Sequence, residues 1–290
     1  MSRYYCLIAG LPVITPDDTK LTYTVSEFKA ELKPLLSARD KRLMQWFYLK
    51  FDNRNVLSFL RKMSEEHFDD RGNYSNDNIK ELYDFLKAEE RVPAKNPLPA
   101  YFTTFIRSYL ARLENETSDD PRLLEDQLSA LYYEAAMKCG NEFMSSWFEM
   151  NLNIGNVLAV LNCRKYGLNR EHFVIGHNEL AEQLRTSNAR DFHFNNPISY
   201  LSELMQISEE TDLMMREKRL DLLRWKWLDE QTFFKTFDIE SVITYMLQLE
   251  MIERWITLDK VRGQQTFRRL VSDMKRESAE TLEEFKENNK

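Results

Sequence analysis

Trp46-Phe47-Tyr48-Leu49-Lys50-Phe51-Asp52-Asn53-Arg54-Asn55-Val56-Leu57-Ser58-Phe59-Leu60 decides how this chain folds, because it recurs. One hundred and one residues further on stands Trp147-Phe148-Glu149-Met150-Asn151-Leu152-Asn153-Ile154-Gly155-Asn156-Val157-Leu158-Ala159-Val160-Leu161, with Trp, Phe, Asn, Val, Leu and Leu in register. A fainter third copy follows 85 residues later in Phe233, Phe237, Asp238, Val242, Ile243 and Met246.

The shared positions predict a helix entry. Asp52, Asn153 and Asp238 are each good N-caps, whose side chains accept from an orphan N–H of the first turn. The residue before each cap is apolar (Phe51, Leu152, Phe237), and Val56, Val157 and Val242 stand at the fourth helical position, the pairing of a hydrophobic staple. Apolar residues then continue at helical spacing through Phe59, Leu60 and Met63, and through Tyr245, Met246 and Leu249. The expectation is a triplicated helical unit, with Phe47, Phe148 and Phe233 equivalent and buried.

Working outward, Thr24-Val25-Ser26-Glu27 is a capping box opening a helix to about Leu36, and Ser37 to Asp40 caps the next, which carries Trp46. His67–Asn78 reads as a loop, followed by a helix to about Glu90. Three prolines between Arg91 and Pro99 make a linker. A helix spans Ala100–Glu114, and Asp120-Pro121 opens a long helix towards Met150. Gly167 supplies a left-handed C-terminal turn to the second repeat helix. Asn196-Pro197 and Ser208-Glu209-Glu210 start two further helices. A helix from Asp238 to about Val261, a break at Gly263 and a charged helix to Lys290 complete the chain. Residues 4–9 read as a short extended segment closed by Gly10-Leu11-Pro12. The fold class is therefore all-α, in three similar lobes over 1–92, 93–195 and 196–290.

The 290 residues are 43% hydrophobic and 30% charged with only 7 Gly and 8 Pro, which suits long helices rather than a β fold. A net charge of −7 and the lack of a basic block argue against a nucleic-acid footprint. Three scattered cysteines form neither a disulfide framework nor a CxxC pair and favour a reducing compartment. The apolar run near the N-terminus is too short and too poorly ended for a signal peptide, and no run is long enough to span a bilayer.

Catalytic and metal motifs are missing: no phosphate-binding glycine loop, no GxSxG, no HExxH, and no Glu three residues before His67, His172, His177 or His193. His172 and His177 read as surface histidines, Cys163 as a core residue, and Glu65-Glu66 and Asp69-Asp70 as solvated pairs. No catalytic residue, cofactor or metal site is assigned. On the helix from Asp238, Glu253 falls near the centre of the stripe Val242, Met246, Leu249, so a buried ion pair is expected from it, or from Glu250, to an arginine such as Arg164.

The segment from Trp147 to Leu158, continued through Arg164-Lys165-Tyr166-Gly167-Leu168, resembles the repeated motif of the central-stalk C/d-type family of V-type ATPases (C-type in archaea and bacteria, d-type in eukaryotes). In that family an acidic or amide residue three before an asparagine opens a helix that ends in a basic pair and Gly-Leu. Asp52-Asn53-Arg54-Asn55-Val56 looks like the same motif in a first lobe, and Phe237 to Arg254, with its Tyr and Glu-x-x-Glu-Arg, resembles the C-terminal helix. Ser241 replaces the asparagine in the third copy. The opening Tyr4-Tyr5-Cys6-Leu7-Ile8-Ala9-Gly10-Leu11-Pro12 departs from the C/d-type pattern and looks like a divergent bacterial family typically encoded inside V-type ATPase operons.

The resemblance implies a non-catalytic central-stalk socket, three lobes closed as a funnel around a pseudo-threefold axis. It would couple the rotor shaft to the membrane proteolipid ring and lie in the cytoplasm, peripheral to the inner membrane through its partners. Two alternatives remain open: an unrelated helical scaffold whose repeats form an open stack, and a helical enzyme whose site is assembled from distant residues.

Overall fold

The computed structural model describes residues 4–89, 96–114, 121–187, 189, 192, 194–196 and 198–259. All regular structure in them is helical: α1 (Tyr5–Gly10), α2 (Val25–Leu32), α3 (Ala38–Leu60), α4 (Asn76–Lys87), α5 (Ala100–Glu114), α6 (Pro121–Ala136), α7 (Glu142–Tyr166), α8 (Glu179–Thr186), α9 (Leu201–Ser208), α10 (Leu213–Thr232) and α11 (239–259). The all-α expectation holds. Contacts divide the chain into two compact units, one of residues 36–223 and one that joins residues 1–35 to those from 224 onward. These boundaries differ from the expected 92/93 and 195/196.

Local chemistry explains most helix ends. Thr24 accepts from the Glu27 N–H at 3.2 Å while the Glu27 carboxylate takes the Thr24 N–H at 2.8 Å, completing the anticipated capping box. Ser37 caps α3 through Asp40 N–H. Gly167, at φ 67°, ends α7 in the left-handed conformation, and Leu168 N–H returns to the Cys163 carbonyl.

Other expectations are corrected. Residues 5–10 are helix rather than an extended segment. Pro12 forces the preceding Leu11 to an extended φ −71°, ψ 138°, so the extended chain begins only after the helix. The long helix expected from Pro121 is two, broken after Ala136 where Gly140 takes φ 82° and Asn141 caps α7. Asp212, whose Oδ1 accepts from Met214 and Met215 N–H, rather than Ser208–Glu210, opens α10. The helix placed at Asn196 starts at Leu201 with no side-chain cap. Glu90, residues 91–95 of the expected linker, His193, Pro197, Gly263 and the charged C-terminal helix lie outside the described residues.

The largest correction concerns the repeat. Asp52 lies well inside α3 and Asn153 well inside α7, so neither caps a helix. Only Asp238 immediately precedes its helix, its carbonyl accepting from Val242 N–H.

In the 36–223 unit, α3 packs on α4 and α6, α5 lies against α4 and α6, and α7 contacts α6, α8 and α9. Its centre is aromatic. Phe47 and Phe148, the equivalent positions of the first two copies, meet each other at 5.4 Å between ring centroids. Tyr132 packs edge-on against Phe148 and donates its hydroxyl to the Trp46 carbonyl.

The other unit is held by α11. Val242, Ile243, Met246, Leu249 and Ile252 are buried, Phe28 of α2 packs on Tyr245 at 5.3 Å, and Tyr245 donates to the Pro12 carbonyl. Phe233, expected to be the third buried counterpart, is 78% exposed. It stands in the turn that leads to α11, where its ring meets the edge of its neighbour Phe234, and no other ring pair involves it among the described residues.

Candidate functional site

The repeated motif builds one piece of geometry twice. On α3, buried Asn55 donates its amide to the Asp69 carbonyl at 2.9 Å and accepts the Asp69 N–H at 2.8 Å. On α7, buried Asn156 donates to the Ile175 carbonyl at 2.8 Å and accepts the Ile175 N–H at 3.0 Å. A side-chain carboxamide matches a backbone N–H and C=O together, donating and accepting at once. Each asparagine therefore clamps the loop that returns from its own helix, although the loops differ in length.

The residue three positions earlier ties down the end of the same loop. Asp52 accepts from Asn73 N–H at 2.9 and 3.0 Å, from the Asn73 amide at 2.8 Å and from Tyr74 N–H at 3.1 Å. Asn153 accepts the Asn178 amide at 2.8 Å. In both cases the next helix starts there: Ser75 caps α4, and Asn178 itself caps α8 through Ala181 N–H. The DxxN and NxxN pairs thus set the path of the chain into the following helix.

Close approach reinforces the clamp. A Cβ on Gly72 would lie 2.4 Å from the Asp52 Oδ1, so only glycine lets the loop settle on the carboxylate. Gly176, at φ 76°, sits where a Cβ would come within 3.2 Å of Leu152.

Electrostatics separate the two copies. Burial pushes the Asp52 carboxyl up, more than its hydrogen bonds from Asn73 and Tyr74 pull it down, and neighbouring Asp69 adds to the rise. The Arg71 guanidinium holds Asp69 itself below the ordinary carboxylate range. A half-buried tyrosine accompanies each clamp: burial raises Tyr74 to about 12 and Tyr200 to about 12, with Asn153 hydrogen-bonding against the rise at Tyr200.

The third copy does none of this. Ser241 donates its hydroxyl to the Lys235 carbonyl of its own turn, and Asp238 is exposed. Phe237 packs on Tyr5 instead, at 4.7 Å.

The ion-pair expectation is corrected in part. Glu253 is half-buried and makes no ion pair among the described residues, because the buried arc of α11 is filled by Met246, Leu249 and Ile252. Glu250 does pair across helices, but with Lys29 of α2 at 2.8 Å. Arg164 is committed elsewhere: it donates to the Ala189 carbonyl at 2.8 Å and stacks over Phe192 at 4.1 Å. Cys163 is a buried core residue with its thiol raised by burial, and His67, His172 and His177 are exposed. Asp69 is not simply solvated, since its backbone is what Asn55 grips.

Among the described residues no three His, Cys, Asp or Glu side chains lie together as metal ligands. A shallow, open depression of about 460 Å³ runs beside Asp77, Lys80, Glu81, Asp84 and Phe85 of α4. No described helix is long and apolar enough to cross a membrane. Chemically, the arrangement holds two helix-to-helix turns against the helices that precede them.

A family model described as a protein of unknown function (DUF2764) matches residues 1–278. The chain belongs to that family. No curated protein and no solved structure matches it. The sequence pattern locates the clamp residues Asp52, Asn55, Asn153 and Asn156 but presents the first of each pair as a cap. A signal for the mid-helix position is there too: no Gly or Pro interrupts the chain between Ser37 and Leu60.

Proposed function

We propose that this chain is a non-catalytic central-stalk component of a V-type ATPase or ATP synthase, similar to the C/d-type socket. In that role it couples the rotor shaft to the membrane proteolipid ring, taking part in proton or other ion transport without chemistry of its own. The observation that carries the reading is the duplicated, asparagine-clamped helical unit, built from the segments that resemble the repeated C/d-type motif. A part that transmits torque needs helices whose connections cannot yield, and two backbone-mimicking amides buried against loops supply that stiffness. The acidic net charge of −7 suits contact with a basic shaft surface. In a three-lobed funnel the unit containing α11 would supply the remaining lobe. The protein would then work in the cytoplasm, at the membrane only through its partners.

The departure of the third copy favours the second reading, a helical protein–protein scaffold unrelated to rotary ATPases. Purifying the membrane ATPase from the source cell distinguishes the two. Stoichiometric copurification, together with binding of the purified chain to the rotor shaft that weakens as salt rises, is the expected outcome. A pull-down with shaft and ring proteins that recovers neither overturns the rotary assignment and leaves the scaffold.

A further inference from the structure

The turn between α10 and α11 carries the most exposed aromatic pair described. Phe233 is 78% and Phe234 91% exposed, and the two rings meet edge to face, at 4.9 Å. Four residues on from Phe233, Phe237 is covered by Tyr5. With each ring carrying about 200 Å² of surface, roughly 300 Å² of aromatic area stands in water at this turn, at the lower end of the apolar patches that are often functional. The packing of the unit does not require it, since its core closes through Val242, Met246, Leu249 and Phe28.

Charge narrows the occupant. In the turn and the helix ends that flank it, over residues 229–240, Asp229, Glu230 and Asp238 are exposed and Glu240 is half-buried, against one cation, exposed Lys235. Two copies meeting at this turn would set acid against acid, and the same collar repels an anionic lipid surface. A complementary surface is apolar at its centre and basic at its rim.

We propose that Phe233 and Phe234 form a docking knob for a partner protein that presents an apolar groove bordered by lysine or arginine. The two rings fill the groove as anchor residues, while the acidic collar sets orientation and speeds encounter. The inference stands on this turn alone and holds whether or not the chain serves a rotary ATPase.

The test uses the full-length chain and a short amphipathic helix built only of leucine and lysine as probe, with a leucine–glutamate helix and neutral and anionic phosphatidylcholine-based vesicles as comparisons. The wild type is expected to bind the leucine–lysine helix, more weakly as salt rises, and to leave the acidic helix and the vesicles unbound. The Phe233→Ser/Phe234→Ser variant is expected to lose about a hundredfold in affinity, two anchors at roughly tenfold each. Because both rings are exposed, its far-UV circular dichroism should match the wild type. Glu230→Lys should weaken binding and flatten the salt dependence. Wild-type failure to bind the basic helix, equal binding by the double variant, equal binding of the acidic helix, or preferential vesicle binding would each overturn the proposal.

Discussion

The two clamps hold their loops with the same side chain and differ in the residue three positions before it. Asn55 and Asn156 make matching pairs of bonds to a loop backbone, whereas Asp52 presents a carboxylate where Asn153 presents a carboxamide. A carboxylate accepts only, so Asp52 can gather the Asn73 N–H, the Asn73 amide and the Tyr74 N–H together. It does so at the cost of burying a charge. Asn153 takes the Asn178 amide without that penalty. The first copy therefore gains grip and becomes sensitive to pH, while the second has weaker grip and no titrating group at that position.

The comparison can be broken first at its centre. Replacing Phe47 or Phe148 by alanine should cost about 3–5 kcal/mol each in urea unfolding, because both rings are buried against one another. The pair should show a coupling of about 0.5–1.5 kcal/mol in a double-mutant cycle. Phe233→Ala should stay within about 0.5 kcal/mol, as for a surface change. A large loss at Phe233 would restore the third copy as a true equivalent.

The clamps themselves come next. Asn55→Leu and Asn156→Leu each strand one loop N–H and one carbonyl, and each should cost roughly 2–4 kcal/mol with similar size in the two copies. Hydrogen exchange at the Asp69 and Ile175 amides should rise in the matching variant alone. If one substitution proves neutral, its loop is held by other contacts and the equivalence fails.

The smallest effect is the one that separates the copies. Burial raises the folded-state pKa of Asp52 above its ordinary value of 3.8, so the folded state binds its proton more readily than the unfolded chain. The stability this contributes is fully present below the unfolded value and is lost as pH rises through the raised one. Asp52→Asn removes the titration, so its stability relative to wild type should improve as pH is raised from acid towards neutral. Asn153→Asp should introduce a dependence of the same sign. Parallel pH profiles for Asp52→Asn and wild type would mean that the bonds from Asn73 and Tyr74 offset burial.

Much of the fold was legible because helix ends are decided locally. The Thr24–Glu27 box, Ser37, the span of α5 and the glycine stop at Gly167 each depend on a few neighbouring residues, and each stands where the pattern placed it. Residues 4–9 misled because a short apolar run fits helix and strand equally, and only the neighbourhood arbitrates. Glu253 misled because a helical wheel averages over a stripe, whereas packing chose which edge of that stripe to cover.

By itself, then, the sequence determined that the chain is helical, that one motif is written twice with care and once loosely, and that the asparagines matter. Tertiary structure decided what they do. An aspartate or asparagine satisfies whichever backbone N–H lies within reach, its own first turn or a loop some twenty residues away, and the side chain reads the same in either case. In Asp52 and Asn153 the long-range partner won because α3 and α7 run unbroken through those positions, their own backbone N–H groups already paired within the helix.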